Sequence, residues 1–183
     1  MNNSAFKTKF APTIVLVIIC LVISAALVAT NGATAPQIAK INKEQADATR
    51  ASVLPAADSF TAYDGKLNSG ITEVYFADNK AGAVVTSTSS SYGGEMTVMT
   101  GIDAEGAITG VQVTAHSDTP GLGTKAMTPE YLDGYVGISE LSAAAVKDSS
   151  DVDYIVGASI SSNGVYTAVK NALQQFKDCG GVK

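Results

Sequence analysis

The feature that most constrains this chain is the run Ala11–Thr30, APTIVLVIICLVISAALVAT, which contains no charged residue. A helix of that length and composition spans the hydrocarbon core of a bilayer. Lys7 and Lys9 precede it, and no further positive charge comes before Lys40. The positive-inside bias then predicts a single-pass cell-membrane protein. Residues 1–10 are cytoplasmic, 11–30 form the transmembrane helix, and the rest lies outside. Two kinds of cleaved or lipidated leader share part of this pattern. A cleavable signal peptide has the same charge order, with small residues at Ala25, Ala26 and Ala29, but its apolar core is usually shorter. A lipoprotein anchored at Cys20 needs a small residue beside the cysteine, and Val17-Ile18-Ile19 offers none.

The chain beyond residue 30 is long enough for about one ordinary domain. Residues 31–55 read as a juxtamembrane linker and helix. Asn31–Pro36 is a polar exit. From Gln37 to Leu54 apolar and small residues recur at helical spacing (Ile38, Ile41, Ala46, Thr49, Val53), and Pro55 ends the pattern. Residues 56–183 form the domain. Strands are predicted over Thr72–Phe76 and Ala83–Ser89. Glu95–Ile102 and Ile108–His116 form a hairpin across the turn Asp103-Ala104-Glu105-Gly106. Short helices are predicted over Pro129–Tyr135 and Ser142–Lys147. The final helix is the clearest element. Val165, Val169, Leu173 and Phe176 make one apolar stripe, with Ser161, Ser162 or Asn163 as cap and Gly180-Gly181 after its end. The fold class is α+β: a transmembrane helix, then a small, mainly antiparallel sheet with packed helices.

Charge and cysteines exclude several functions. Beyond residue 30 the chain has ten basic residues against seventeen acidic ones, a net of −7. Phosphate backbones repel such a domain, so nucleic acid is not an expected partner; a basic redox partner, or simple solubility, fits better. Cys20 and Cys179 cannot supply a disulfide framework or a four-ligand metal site, and no CxxC motif is present to hold an iron–sulfur cluster. No metal site is expected.

The segment Asp153-Tyr-Ile-Val-Gly-Ala-Ser159-Ile-Ser-Ser-Asn163 runs from a strand-like piece into the final helix. Gly157 and Ala158 remove side-chain bulk, so a ligand can approach the backbone. Three hydroxyls, Ser159, Ser161 and Ser162, stand at a helix start, whose free N–H groups favour a phosphate. On spacing alone, an ordinary capped helix entry accounts for the same residues.

The segment resembles the flavinylation motif of the FMN-binding domain family, found in the G subunit of Rnf complexes and the C subunit of sodium-pumping quinone reductases. The motif reads roughly Asp, two variable residues, Ser or Thr, Gly, Ala, then Thr or Ser. The resemblance implies covalent FMN on Ser159 through a phosphoester, with Ser161 as the alternative acceptor. It implies a flavin transferase that recognises Asp153. Val156, Gly157, Ala158, Ile160 and Ser162 fall around the cofactor. Val156 departs from the usual Ser or Thr, and Ser159 from the commoner Thr.

A second segment, His116-Ser-Asp-Thr-Pro-Gly-Leu-Gly-Thr-Lys125, is similar to the family's His-x-Glu-Thr-Pro-Gly-Leu-Gly loop, with Asp118 in place of Glu. Pro120-Gly121 makes a tight turn, and Gly121 and Gly123 allow close approach to a flat ring. The resemblance lays Thr119, Leu122 and their neighbours along the flavin. His116 fits a loop-orienting role better than proton transfer. Lys125 either neutralises phosphate or is a solvated surface lysine. A third segment, Tyr92-Gly-Gly-Glu-Met-Thr-Val-Met-Thr-Gly-Ile-Asp103, resembles the family's Gly-Gly strand.

The resemblance implies an electron-transfer subunit of an Rnf-type ion-translocating ferredoxin:NAD+ oxidoreductase, carrying one FMN as a relay on the outer side of the membrane. Its partners are multi-span flavin and iron–sulfur subunits, and no catalytic acid or base is expected in this chain. Two alternatives stand beside it: a standalone membrane-anchored flavinylated electron carrier, and a non-redox extracytoplasmic binding module. Covalent flavin fluorescence separates the last from the other two.

Overall fold

The computed structural model describes residues 3–182, in two units, Met1–Ala46 and Asp47–Lys183. Helix α1 (Asn3–Val53) begins in the first unit and ends in the second. From Ala11 onward the first unit's side chains are almost all exposed, and Leu16, Leu21, Leu27 and Val28 are each more than 60 % exposed. Water does not tolerate such a stripe on every face of a helix, whereas a bilayer covers it. The helix is long and apolar enough to cross a membrane. Asn31–Pro36 does not interrupt it, although its polar composition suggests an exit. The hydroxyls of Thr30 and Thr34 donate to the helix's own carbonyls, at Ala26 and Thr30, both 2.9 Å away, and Pro36 holds a φ compatible with the helix.

In the second unit five strands form one antiparallel sheet in chain order: β1 (Phe60–Ala62), β2 (Ile71–Ala77), β3 (Gly82–Ser91), β4 (Gly94–Asp103) and β5 (Ile108–Ala115). The β4–β5 hairpin matches the sequence expectation. Its turn is closed by Asp103, whose Oδ1 accepts the Ala107 N–H at 2.8 Å, and by Gly106 at φ +90°. Strand β1 has no counterpart among the predicted strands. Three residues are too few to show an alternation, and only their pairing with Tyr75–Ala77 defines the strand.

β3 is buried on both faces. Ala83 and Val85 join Met96, Val98 and Ile102 on one side, while Val84 joins Val53, Leu54, Ala77 and Met99 on the other. The first face is covered by α3 (Ser159–Asp178), whose Val165, Val169, Leu173 and Phe176 are all buried, as their spacing predicts. Two strand hydroxyls fix its position. Ser87 Oγ donates to Ala168 O at 2.9 Å, and Ser89 Oγ donates to Gly164 O at 2.7 Å. Gly164 permits this approach: a Cβ there meets Ser90 O at 2.7 Å.

The second face is covered by the end of α1 and the turn after it. Gly101 on β4 and Gly110 on β5 lie directly against the Val53 backbone, and Thr109 Oγ1 donates to Val53 O. Arg50 is buried beside them. Its guanidinium stacks on the Tyr75 ring at 3.7 Å and pairs with Asp47 and Glu73 at 2.5 and 3.2 Å.

Between β5 and α3 lie α2 (Pro129–Leu132), continued by a 3-10 turn over Asp133–Tyr135, and a long irregular stretch. The helix expected over Ser142–Lys147 is absent; only a 3-10 turn, Val146–Asp148, forms there. α3 takes the backbone groups that such a helix needs. Asn163 Oδ1 accepts the Val146 N–H at 3.1 Å, and Lys170 Nζ donates to Ala143 O at 2.8 Å. The strand-like piece before Ser159 is likewise unpaired loop.

Gly101 gives a direct test of the second face. A Cβ at residue 101 falls 2.1 Å from Val53 O, a backbone atom that cannot rotate away. Gly101→Ala is expected to lower stability by about 1–3 kcal/mol, the usual range for overpacking, as measured by denaturant unfolding of the detergent-solubilised chain.

Candidate functional site

Three loops meet at one end of the sheet. The β3–β4 turn carries Tyr92 and Gly93. The segment after β5 carries residues 116–122 and enters a 3-10 turn at Gly123–Met127. The third loop is Asp153–Ala158, leading into α3. Together they wall a cleft of about 330 Å3. The turn contributes Tyr92; the glycine loop contributes Thr119, Leu122 and Gly123; Gly157–Ser161 form the remaining wall.

Asp118 holds two of these loops together. It is 4 % exposed. Its Oδ1 accepts the Ser91 hydroxyl at 2.7 Å, from the end of β3, and the Gly93 N–H, from the β3–β4 turn. Gly93 in turn packs on the backbone of Ser117, and Gly123 on the Asp118 carboxylate itself; a Cβ at either residue lies within 2.7 Å of those atoms. Burial pushes the Asp118 pKa up, but the nearby Ser161 hydroxyl, the Ser91 and Gly93 hydrogen bonds and the charge of His116 outweigh it. The carboxyl is held below its ordinary range and is ionised at neutral pH.

The α3 end is built differently from the sequence expectation. Helix α3 starts at Ser159, and its N-cap is Ala158, which offers no side-chain cap. Ser161, Ser162 and Asn163 lie inside the helix and do not cap it. The chain reaches this start through Gly157 at φ +88°, a conformation that only glycine adopts without strain. The first-turn N–H groups therefore have no side-chain partner and point outward from a helix N-terminus. The three hydroxyls differ. Ser159 is exposed. Ser161 is 1 % exposed, and its Oγ makes no hydrogen bond; neither does Asp118 Oδ2. Ser162 is fully buried, and its Oγ accepts the Ile155 N–H at 3.2 Å, tying the loop to the helix.

Of the residues singled out by sequence, Thr119, Leu122, Gly123, Gly157, Ala158, Ser159, Ile160 and Ser161 line the cleft. Asp118 and Ser162 lie behind its walls as braces. His116, Gly121, Lys125, Asp153 and Val156 are exposed and outside its lining. Val156 is 84 % exposed. Asp153 stands near Tyr131: burial raises the Tyr131 pKa, and the Asp153 charge adds to that rise. Tyr92, a wall residue 71 % exposed, is one that sequence reasoning missed as a site residue. Its one sequence signal is a bare aromatic at a Tyr-Gly-Gly turn.

Residues 91–174 match the FMN-binding domain family. The G subunit of the Na(+)-translocating ferredoxin:NAD(+) oxidoreductase complex of Acetobacterium woodii is 31% identical, over 94% of this chain and 94% of that one. The G subunit of the ion-translocating oxidoreductase complex of Methanosarcina acetivorans is also 31% identical, over 94% and 96%. The chain belongs to the G-subunit family of Rnf-type ion-translocating oxidoreductase complexes. A crystal structure of the C subunit of the Na(+)-translocating NADH-quinone reductase from Parabacteroides distasonis is 22% identical over 58% of this chain and 60% of that one, with a TM-score of 0.46.

The family match begins at Ser91, the residue that donates to Asp118, and ends inside α3, so it contains all three loops of the cleft. The residues present suit a flavin mononucleotide. An uncapped helix start and an exposed hydroxyl suit its phosphate. The faces of Tyr92, Leu122 and Ile160 suit a flat ring, and the unpartnered Ser161 Oγ is a buried polar atom at the wall.

The Asp118 brace is testable through stability. Its folded-state pKa lies below the unfolded value, so its contribution is complete above the ordinary carboxylate range and is lost as pH falls through the lower folded value. Asp118→Ala leaves the Gly93 N–H without its acceptor, while the Ser91 hydroxyl keeps Gly94 O at 3.0 Å, and is expected to cost about 1–3 kcal/mol at neutral pH. Asp118→Asn keeps an acceptor, is expected to cost less, and flattens the acid limb of the stability–pH curve. Chemical unfolding from pH 7 to pH 3 reads both.

Proposed function

We propose that this chain is an electron-relay subunit of an Rnf-type ion-translocating membrane complex, with one FMN linked through its phosphate to Ser159 and held on the outer side of the membrane. The observation that carries the attachment is the setting of Ser159. Its hydroxyl is exposed at the rim of the cleft, on the first residue of a helix with no side-chain cap. A phosphodiester at that position keeps one negative charge, which the helix N-terminus favours. FMN, when bound, supplies the one-electron chemistry, and the protein positions and tunes it.

This chain's residues then have separate duties. The first-turn N–H groups of α3 bind the phosphate oxygens. Tyr92, Leu122 and Ile160 bound the ring and exclude water from its faces. The missing side chain of Gly123 makes room for the Asp118 carboxylate, which keeps this loop packed at the cleft wall. Asp153, exposed and clear of the cleft, is available to a flavin transferase. The outward placement rests on Lys7 and Lys9 before the apolar run. The partners follow from the named complexes of the relatives: other membrane subunits that donate and accept electrons.

Expression in a host that flavinylates the chain tests the attachment. The denatured band is expected to fluoresce, and a peptide covering Ile155–Lys170 is expected to carry the mass of FMN on Ser159. Ser159→Ala is expected to abolish that mass while changing stability by less than about 0.5 kcal/mol, as an exposed position should. A colourless wild-type band overturns the covalent link; flavin retained in Ser159→Ala moves it to another hydroxyl. Asp153→Ala is expected to lower the flavin content without changing the absorption spectrum of the fraction that is loaded.

A further inference from the structure

Ser159 and Ile160 line a second cleft as well as the first. This second cleft, of about 300 Å3, lies between the 3-10 turn at Val146–Asp148 and the start of α3. Tyr154 and Val146 give it apolar lining, and Lys147 gives it a charge. Ser159 thus stands on a ridge with a cleft on each side. The two clefts are close in volume, and each offers one solvent-exposed tyrosine, Tyr92 in the first and Tyr154 in the second.

Their electrostatics differ. Among the described residues no Lys or Arg lines the first cleft, and the ionised Asp118 lies behind its wall. In the second, Lys147 is exposed and makes no ion pair among the described residues. The turn that carries Lys147 is fixed to α3 by the Asn163 bond to the Val146 N–H, so the charge is held beside Ser159 rather than on a free loop.

Resting on the reading that flavin is tethered at Ser159, we propose that the second cleft is a second seat for the tethered ring. A group linked to Ser159 reaches either side of the ridge by rotation about the tether, without moving the backbone. The ring stacks on Tyr92 in one seat and on Tyr154 in the other. The second seat places it near a positive charge, which favours the electron-rich form of the ring, whereas the anionic side of the first favours the neutral form. Lys147, rather than Lys125, is then the cation that the flavin meets; Lys125 lines neither cleft.

Time-resolved flavin fluorescence of the full-length flavinylated chain tests this, because a stacked tyrosine quenches the ring. The wild type is expected to show two quenched decay components. Tyr154→Leu is expected to remove one and Tyr92→Leu the other. In a redox titration Lys147→Gln is expected to shift the flavin midpoint downward, and Lys125→Gln to leave it in place. A decay unchanged by Tyr154→Leu, or a midpoint unchanged by Lys147→Gln, overturns the second seat. The peptide mass across Ile155–Lys170 keeps this separate from the attachment itself. Flavin found on Ser159 with either negative result removes only the second seat, whereas flavin found elsewhere removes both readings.

Discussion

The position of the site depends on how α3 is locked to β3. Ser87 and Ser89, two residues apart on one face of the strand, donate to Ala168 and Gly164, four residues apart on the helix. Two strand residues advance about 6.6–6.8 Å, and four helical residues about 6 Å. The two repeats match closely enough for both hydroxyls to bond at once, and the order of the pairs sets the helix antiparallel to the strand. Sliding the helix by one residue breaks both bonds and drives a side chain into the Ser90 carbonyl, where only Gly164 fits. From Gly164 back to Ser159 the helix rises about 7.5 Å, and from Ser90 to Tyr92 the chain advances about 7 Å. The lock therefore places the start of α3 and the turn that carries Tyr92 at the same end of the sheet.

Asp118 then fixes the third wall. A buried carboxylate without a cation is costly unless donors surround it. Here the donors come from the end of β3 and the β3–β4 turn, and the carboxylate comes from the glycine loop, so satisfying the charge is the same event as closing the cleft. Its second oxygen and the Ser161 hydroxyl stay unpaired at that wall. The hairpin, the glycine loop and the helix start are far apart in sequence, yet each is fixed by a neighbour that is also fixed. Such mutual support gives the preorganisation that a bound ring requires.

The elements legible in the sequence carry their own period or turn chemistry. The β4–β5 hairpin announces itself through Asp103-Ala104-Glu105-Gly106, and α3 through an unbroken apolar stripe. The glycine loop and the Gly157-Ala158-Ser159 stretch are legible as motifs, and the structure brings them to one cleft. Less legible are features decided by distant partners. β1 exists through pairing with β2. The Ser142–Lys147 segment has helical composition, but Asn163 and Lys170 claim its backbone groups. The cap of α3 is misplaced by sequence because serines read as caps when only neighbours are considered, and here burial against the sheet and loops takes two of them inside the helix. Tyr92 and Tyr154 give no periodic signal, since their value lies in being left exposed beside a ridge.

Three serines within four residues look interchangeable in sequence, and the fold gives each a different task. Ser162 is sealed and accepts the Ile155 N–H, so it holds the loop that presents the segment. Ser161 is sealed at the cleft wall, where its hydroxyl lies near the Asp118 carboxylate and makes no hydrogen bond. Ser159 alone among them is open to solvent, at the tip of the helix dipole. A phosphoester formed by a separate enzyme requires a hydroxyl that a protein-sized partner can reach. It also requires a product charge that the site tolerates. Burial denies the first condition to Ser161 and Ser162. The helix N-terminus gives the second to Ser159. On the proposed attachment, accessibility and backbone polarity would single out Ser159, and the chemistry of the hydroxyl itself, identical in all three, would have no part in it.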